Sequence, residues 1–133
     1  MKIFFRVLLY LIVGIVVGSA VNMALIIAGS YLIKVPETFN PANAQDWTVT
    51  LFIFPFLAHS LGTLSGSFAT ARVSKNYHIS ISLMVGVWFL AGGIYMATII
   101  PAPAWFEILD ITICYIPMAW GGWILAQNEK IEV

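Results

Sequence analysis

The chain has 133 residues, with six Lys and Arg against six Asp and Glu and no formal net charge. Hydrophobic residues make up 61% and charged residues 9%, where a soluble domain carries about 25% charged. So few charges exclude a water-covered surface for a fold of this size, and the lack of any basic tract excludes nucleic-acid binding.

The length suits one domain, residues 1–133. A membrane helix needs about 20 mostly apolar residues, because each rises about 1.5 Å against a hydrocarbon core of about 30 Å. Four stretches satisfy this, at 7–33, 47–71, 79–100 and 104–126. They are unbroken apolar runs rather than alternating ones, so helices are expected and a barrel is not. The expected fold is an all-α, integral membrane four-helix bundle.

The first span follows Lys2 and Arg6. That basic start, with Gly18-Ser19-Ala20, has the outline of a signal peptide, but a signal core is about 7–15 residues and this run is far longer. Gly14 and Gly18 are spaced for close helix packing, with Asn22 one turn further on. The segment 34–46, with Pro36, Asn40-Pro41 and Asp46, reads as an ordered turn in which Asp46 caps the second span.

The second span is the most informative. Pro55, Ala58, His59, Gly62, Thr63, Gly66, Ser67 and Thr70 recur at helical spacing and form one small, polar stripe, with Leu57, Leu61, Leu64 and Phe68 mostly opposite. The stripe should face the bundle, with its hydroxyls bonded to carbonyls of their own helix. Gly86 and Gly93 serve packing in the third span, and Gly121 and Gly122 in the fourth. Pro55 and Pro117 are expected to kink spans two and four. The segments 18–27 and 91–100 echo one another, as a duplicated hairpin would.

Lys2, Arg6, Arg72, Lys75 and Lys130 fall on one side of these spans and Lys34 alone on the other. The positive-inside rule then puts both termini in the cytoplasm. Tyr31, Trp47 and Trp105 would mark the outer interface, and Tyr77, Trp120 and Trp123 the inner one.

Ionisable side chains within the membrane are costly and point to function by default. Two qualify, His59 in span two and Asp110 in span four. The sharpest expectation is that Asn22, His59 and Asp110, with Thr63, converge on a polar ligand- or ion-binding site open toward the outer side. Asp110 bonded to His59 would favour the imidazolium. The plainer account makes Asp110 and Glu107 partners of a helix N-terminus, His59 a buried polar hinge and Asn22 interhelical glue. His78 reads as interfacial. Cys114, the single cysteine, excludes an internal disulfide and reads as a small core residue. No metal-ligand spacing, nucleophile motif or nucleotide fingerprint is present, so no metal, cofactor or catalytic residue is expected.

The segments 18–23, 54–63, 92–96, 101–106 and 115–120 resemble an uncharacterised family of small four-span bacterial inner-membrane proteins. That resemblance implies a bacterial inner-membrane setting and carries no substrate. Other small four-span families fit badly. There is no glutamate in span one as in small multidrug exporters, no cysteine pairs as in quinone-linked thiol oxidases, and no Thr-Phe-Ser-Thr-Phe-like break as in fluoride channels.

These features favour a non-enzymatic protein that binds a lipid or small molecule or braces a complex. The alternatives are an oligomeric transport module built on His59 and Asp110, with a second copy completing the path, and a membrane enzyme using His59 as acid and base. Membrane lipids are the expected surroundings.

Overall fold

A computed structural model describes residues 2–37, 39–74 and 79–128. Lys75, Tyr77, His78 and Lys130 lie outside the described residues. Within them the chain is all-α, with no strand and four helices long and apolar enough to cross a membrane, at Lys2–Leu32, Val49–Val73, Ile79–Ile99 and Ala104–Gln127.

Helix α1 (Lys2–Leu32) has no proline and no acid, and it reaches five residues further back than the apolar run, taking in Lys2 and Arg6. It stops as the chain nears Pro36, since a proline drives the residue before it out of the helical region. The second span opens as a 3-10 turn, Val49–Phe52, and continues as α2 (Ile53–Val73). Helix α3 (Ile79–Ile99) ends just before Pro101. The fourth span is divided into α4 (Ala104–Ile113) and α5 (Ile116–Asn128).

The prolines therefore act differently from each other. Pro55 is the third residue of α2, where the missing N–H is one of the donors a helix start leaves unpaired anyway. It starts the helix and does not kink it, which corrects the expectation for span two. Pro117 is the second residue of α5, just beyond the break at Cys114-Tyr115. Its missing donor interrupts the ladder of the fourth span there.

Helix α2 lies at the centre, antiparallel to α1 and parallel to α5. Its buried residues are Ala58, Ser60, Gly62, Thr63, Gly66, Ser67, Thr70 and Ala71, so the small stripe faces inward. Backbones meet there. A Cβ built on Gly18 would lie 2.7 Å from the Gly62 carbonyl oxygen, and one on Gly66 would lie 2.6 Å from that of Gly14. Gly14 also backs onto the Thr70 hydroxyl, and Gly62 would set a Cβ 3.0 Å from the Gly18 carbonyl. Between helices apolar enough to cross a membrane, whose side chains would gain nothing by leaving equally apolar lipid tails, such contact would supply much of the attraction. Helix α5 uses the same device through Gly122, which abuts the Leu64 carbonyl, and α3 uses it through Gly86 against Ala119.

The hydroxyls divide into two groups. Ser60, Thr63 and Ser65 donate back to Phe56, His59 and Leu61 of their own helix, at 2.8, 2.7 and 2.6 Å. Ser67 and Thr70 instead cross to neighbours, Ser67 to the Ala119 carbonyl at 2.5 Å and Thr70 to that of Tyr10 at 3.1 Å. Those two tie α2 to α5 and to α1.

The connection between α1 and the second span folds over one end of the bundle as a cap. Phe39, Trp47, Phe52 and Phe106 form a chain of ring contacts, with centroids 5.1, 5.5 and 4.4 Å apart in turn. Phe52 and Phe106 are buried with Ala44 and Ala102 beneath them. Two side chains clasp the backbone of Ala102: Gln45 Nε2 donates to its carbonyl at 2.8 Å, and its N–H donates to Glu107 Oε1 at 3.0 Å. Asp46 does not cap the second span. It accepts from Asn43 Nδ2 at 3.1 Å inside the short turn Ala44–Asp46, and Thr48 precedes the next turn without a side-chain cap.

Candidate functional site

Beneath the cap, α2, α4 and the break that follows α4 bring three polar side chains together. His59 stands about two turns into α2, on the inward stripe. Asp110 projects from α4, buried to 6% exposure, and Tyr115 comes from the break that follows it. His59 Nδ1 lies 2.8 Å from Asp110 Oδ1, and Tyr115 Oη donates to Asp110 Oδ2 at 2.8 Å. Tyr115 Oη also lies 3.3 Å from Nδ1, and the two rings stack at 5.9 Å between centroids.

The break in the fourth span makes this constellation. Residues five apart on a regular α-helix are about 140° apart around the axis, since each turn takes 3.6 residues. Asp110 and Tyr115 are five apart, yet they share one hydrogen bond, because Pro117 interrupts the helix between them and α5. Gly93 on α3 supplies the space, since a Cβ there would run into the Tyr115 hydroxyl.

Charge and hydrogen bonding fix the roles. A carboxylate only accepts, and both Asp110 oxygens have a donor, the Tyr115 hydroxyl on one and the His59 ring on the other. Against an ionised Asp110 the donor is His59 Nδ1, and Nε2 is then the position left for another molecule. Among the described residues no protein group bonds Nε2, and the His59 side chain keeps 28% of its exposure.

That exposure opens onto two cavities. The cap-side cavity, about 170 Å³, is bounded by Trp47, Phe52, His59, Met96, Phe106 and Asp110. The other, about 290 Å³, lies between α1 and α3 and is bounded by Asn22, Ile26, His59, Phe89, Gly92 and Tyr115. His59, Gly93 and Met96 border both.

Asn22 reaches the α1–α3 cavity and makes no hydrogen bond to His59 or Asp110 among the described residues. Thr63 is spent on the His59 carbonyl and is 1% exposed, so its hydroxyl stands outside the cluster. Gly14, Gly18, Gly62 and Gly66 lie at the α1–α2 contact, and Gly93 lies under Tyr115. Cys114 is fully buried, its Sγ 3.7 Å from the Phe56 carbonyl. Glu107 is committed to the Ala102 backbone at the rim of the cap-side cavity. No group of three His, Cys, Asp or Glu side chains among the described residues could hold a metal ion.

Sequence reasoning missed Tyr115. The signal was available in combination: a tyrosine two residues before a proline, close in sequence to an aspartate within an apolar run. Comparison with family models, with curated proteins and with solved structures finds no match, so the functional reading rests on the geometry alone.

Proposed function

We propose that this chain is a bacterial inner-membrane protein, with both ends in the cytoplasm, that binds a small membrane-soluble molecule against His59 without transforming it. One observation carries the reading: Asp110 holds Nδ1 of His59 at 2.8 Å, which leaves Nε2 as the ring's open position in walls that are otherwise largely apolar. Binding sites of that make-up, apolar with a few placed polar groups, suit small ligands. Membrane setting and orientation are supported by the four apolar helices and by the basic residues Lys2, Arg6 and Arg72 on one side.

Native mass spectrometry of the chain extracted in mild detergent tests this. A retained small molecule, lost in His59→Leu while the bundle stays folded, is the expected result. A wild-type chain free of any bound molecule would overturn it.

Transport is the second reading, favoured by His59 bordering both cavities. Flux into proteoliposomes that His59→Ala abolishes would replace binding with passage. An acid–base enzyme ranks below these. The dyad spacing suits proton transfer, but the side chains that bond His59 among the described residues are Asp110 and Tyr115 alone, and neither is placed to attack a substrate.

A further inference from the structure

The α1–α3 cavity defines what it would take. Its lining contains no Lys, Arg, Asp or Glu. The one carboxyl nearby, that of Asp110, already has a hydrogen-bond partner on each oxygen. An ionised ligand would meet no opposite charge there, and burying a lone ion in apolar surroundings is prohibitive. The ligand is therefore neutral.

It must also form hydrogen bonds. With the proton at Nδ1, a neutral imidazole presents a lone pair at Nε2 and accepts from a hydroxyl. A carbonyl, which only accepts, would take its hydrogen bond from the Asn22 amide instead. Asn22 borders the same cavity with an amide that can donate and accept. The ring walls of Phe89, Tyr115 and His59 offer flat aromatic surface. An apolar cavity of about 150 Å³ holds a benzene ring, so about 290 Å³ accommodates a substituted one.

Access is sideways. A Cβ on Gly92 would meet nothing within 4 Å, and Gly92 is exposed on a helix face at the rim of the cavity, opposite Ile26 and Asn22 of α1. The cap closes the end of the bundle with buried Phe52 and Phe106 and the clasp on Ala102. The open side thus belongs to a surface that four apolar helices turn toward lipid.

We infer, resting on the binding reading above, that the ligand is a neutral ring compound of the phenol–quinone class, hydrogen-bonded by a hydroxyl to His59 Nε2 or by a carbonyl to the Asn22 amide, which enters from the bilayer between α1 and α3 past Gly92. The test uses the full chain in nanodiscs of neutral lipid, titrated with a decyl-substituted benzoquinone and separately with its quinol. Tryptophan quenching and retention on size exclusion give the affinity. Saturable binding of at least one of the two forms is expected, weakened at least tenfold in His59→Leu and in Asn22→Leu.

Gly92→Phe should slow or abolish loading. Gly121→Phe is its control, because Gly121 also faces open space but borders neither cavity. Thermal unfolding checks that each variant is folded, and His59→Gln replaces His59→Leu if the latter is not. Equal loading of the two phenylalanine variants overturns the lateral route. A wild-type chain that takes up neither probe but holds a charged phospholipid in native mass spectrometry overturns the ligand class and leaves the binding reading standing. A chain with no bound molecule of any kind overturns both.

Discussion

His59, Asp110 and Tyr115 depend on one another because each would be costly alone. Breaking a buried charged pair from one side costs about 3–5 kcal/mol in soluble cores, whereas interhelical hydrogen bonds in membranes average about 0.6 kcal/mol. His59 keeps 28% of its side-chain exposure, which pulls its value toward the lower figure. A double-mutant cycle between His59→Leu and Asp110→Leu, read by thermal unfolding in detergent, should give a coupling of about 1–2 kcal/mol. Tyr115→Phe removes one donor from a buried carboxylate and should cost about 1–3 kcal/mol. Ser82 presents the opposite case. Its hydroxyl is fully buried on α3 with no partner among the described residues, so Ser82→Ala should be neutral or raise stability by about 1 kcal/mol. A loss above about 1 kcal/mol would show that the hydroxyl has a partner in the membrane.

At the scale of elements, the α1–α2 contact tolerates no side chain. The atoms in the way of a Cβ at Gly66 or Gly18 include backbone carbonyls, which cannot swing aside as a side-chain tip can. Gly66→Val should therefore lower stability by about 1–3 kcal/mol or more, while Gly121→Val, facing open space, should change little. Unfolding midpoints of the two variants in one detergent decide it. Pro117→Ala tests the break in the fourth span. A restored helical ladder would carry Tyr115 about 140° away from Asp110, so helicity by circular dichroism should rise while ligand retention falls.

How much of this could be read in the sequence depends on the range of the interaction. The four long helices were legible because a helix able to cross a bilayer needs only a long apolar run. The inward face of α2 was legible from Gly62, Gly66 and Thr70 for the same local reason. The role of Pro55 was misjudged because its effect depends on where the helix begins, and that boundary is set by the 3-10 turn Val49–Phe52. Asp46 was misassigned because Asn43, three residues earlier, competes for it. Tyr115 was missed because Pro117 marks the break but not its consequence: only packing against Gly93 turns the Tyr115 hydroxyl onto Asp110.

For the whole molecule, an even number of spans returns the chain to the side where it began. The basic residues of that side predict labelling of cysteines introduced at Lys2 and Arg72 from within, and at Asn43 in the cap from without. Membrane-impermeant maleimide on intact cells against inverted vesicles reads this directly, and a reversed pattern would refute the proposed orientation. The cap also joins the two halves of the chain. Gln45 comes from the first hairpin, and Ala102 and Glu107 come from the second. Gln45→Ala should loosen that end and raise proteolysis at the cap without disturbing the glycine contacts below.

Cys114 gives the bundle a built-in clock. The lone thiol is sealed between α2 and the break, one turn past Asp110. An alkylating reagent therefore reaches it only when the fourth span comes away from α2. The rate of its modification would time the opening of the His59 chamber in the unmodified chain, with no reporter group added. A bound guest that holds those helices together should slow that rate in proportion to its occupancy.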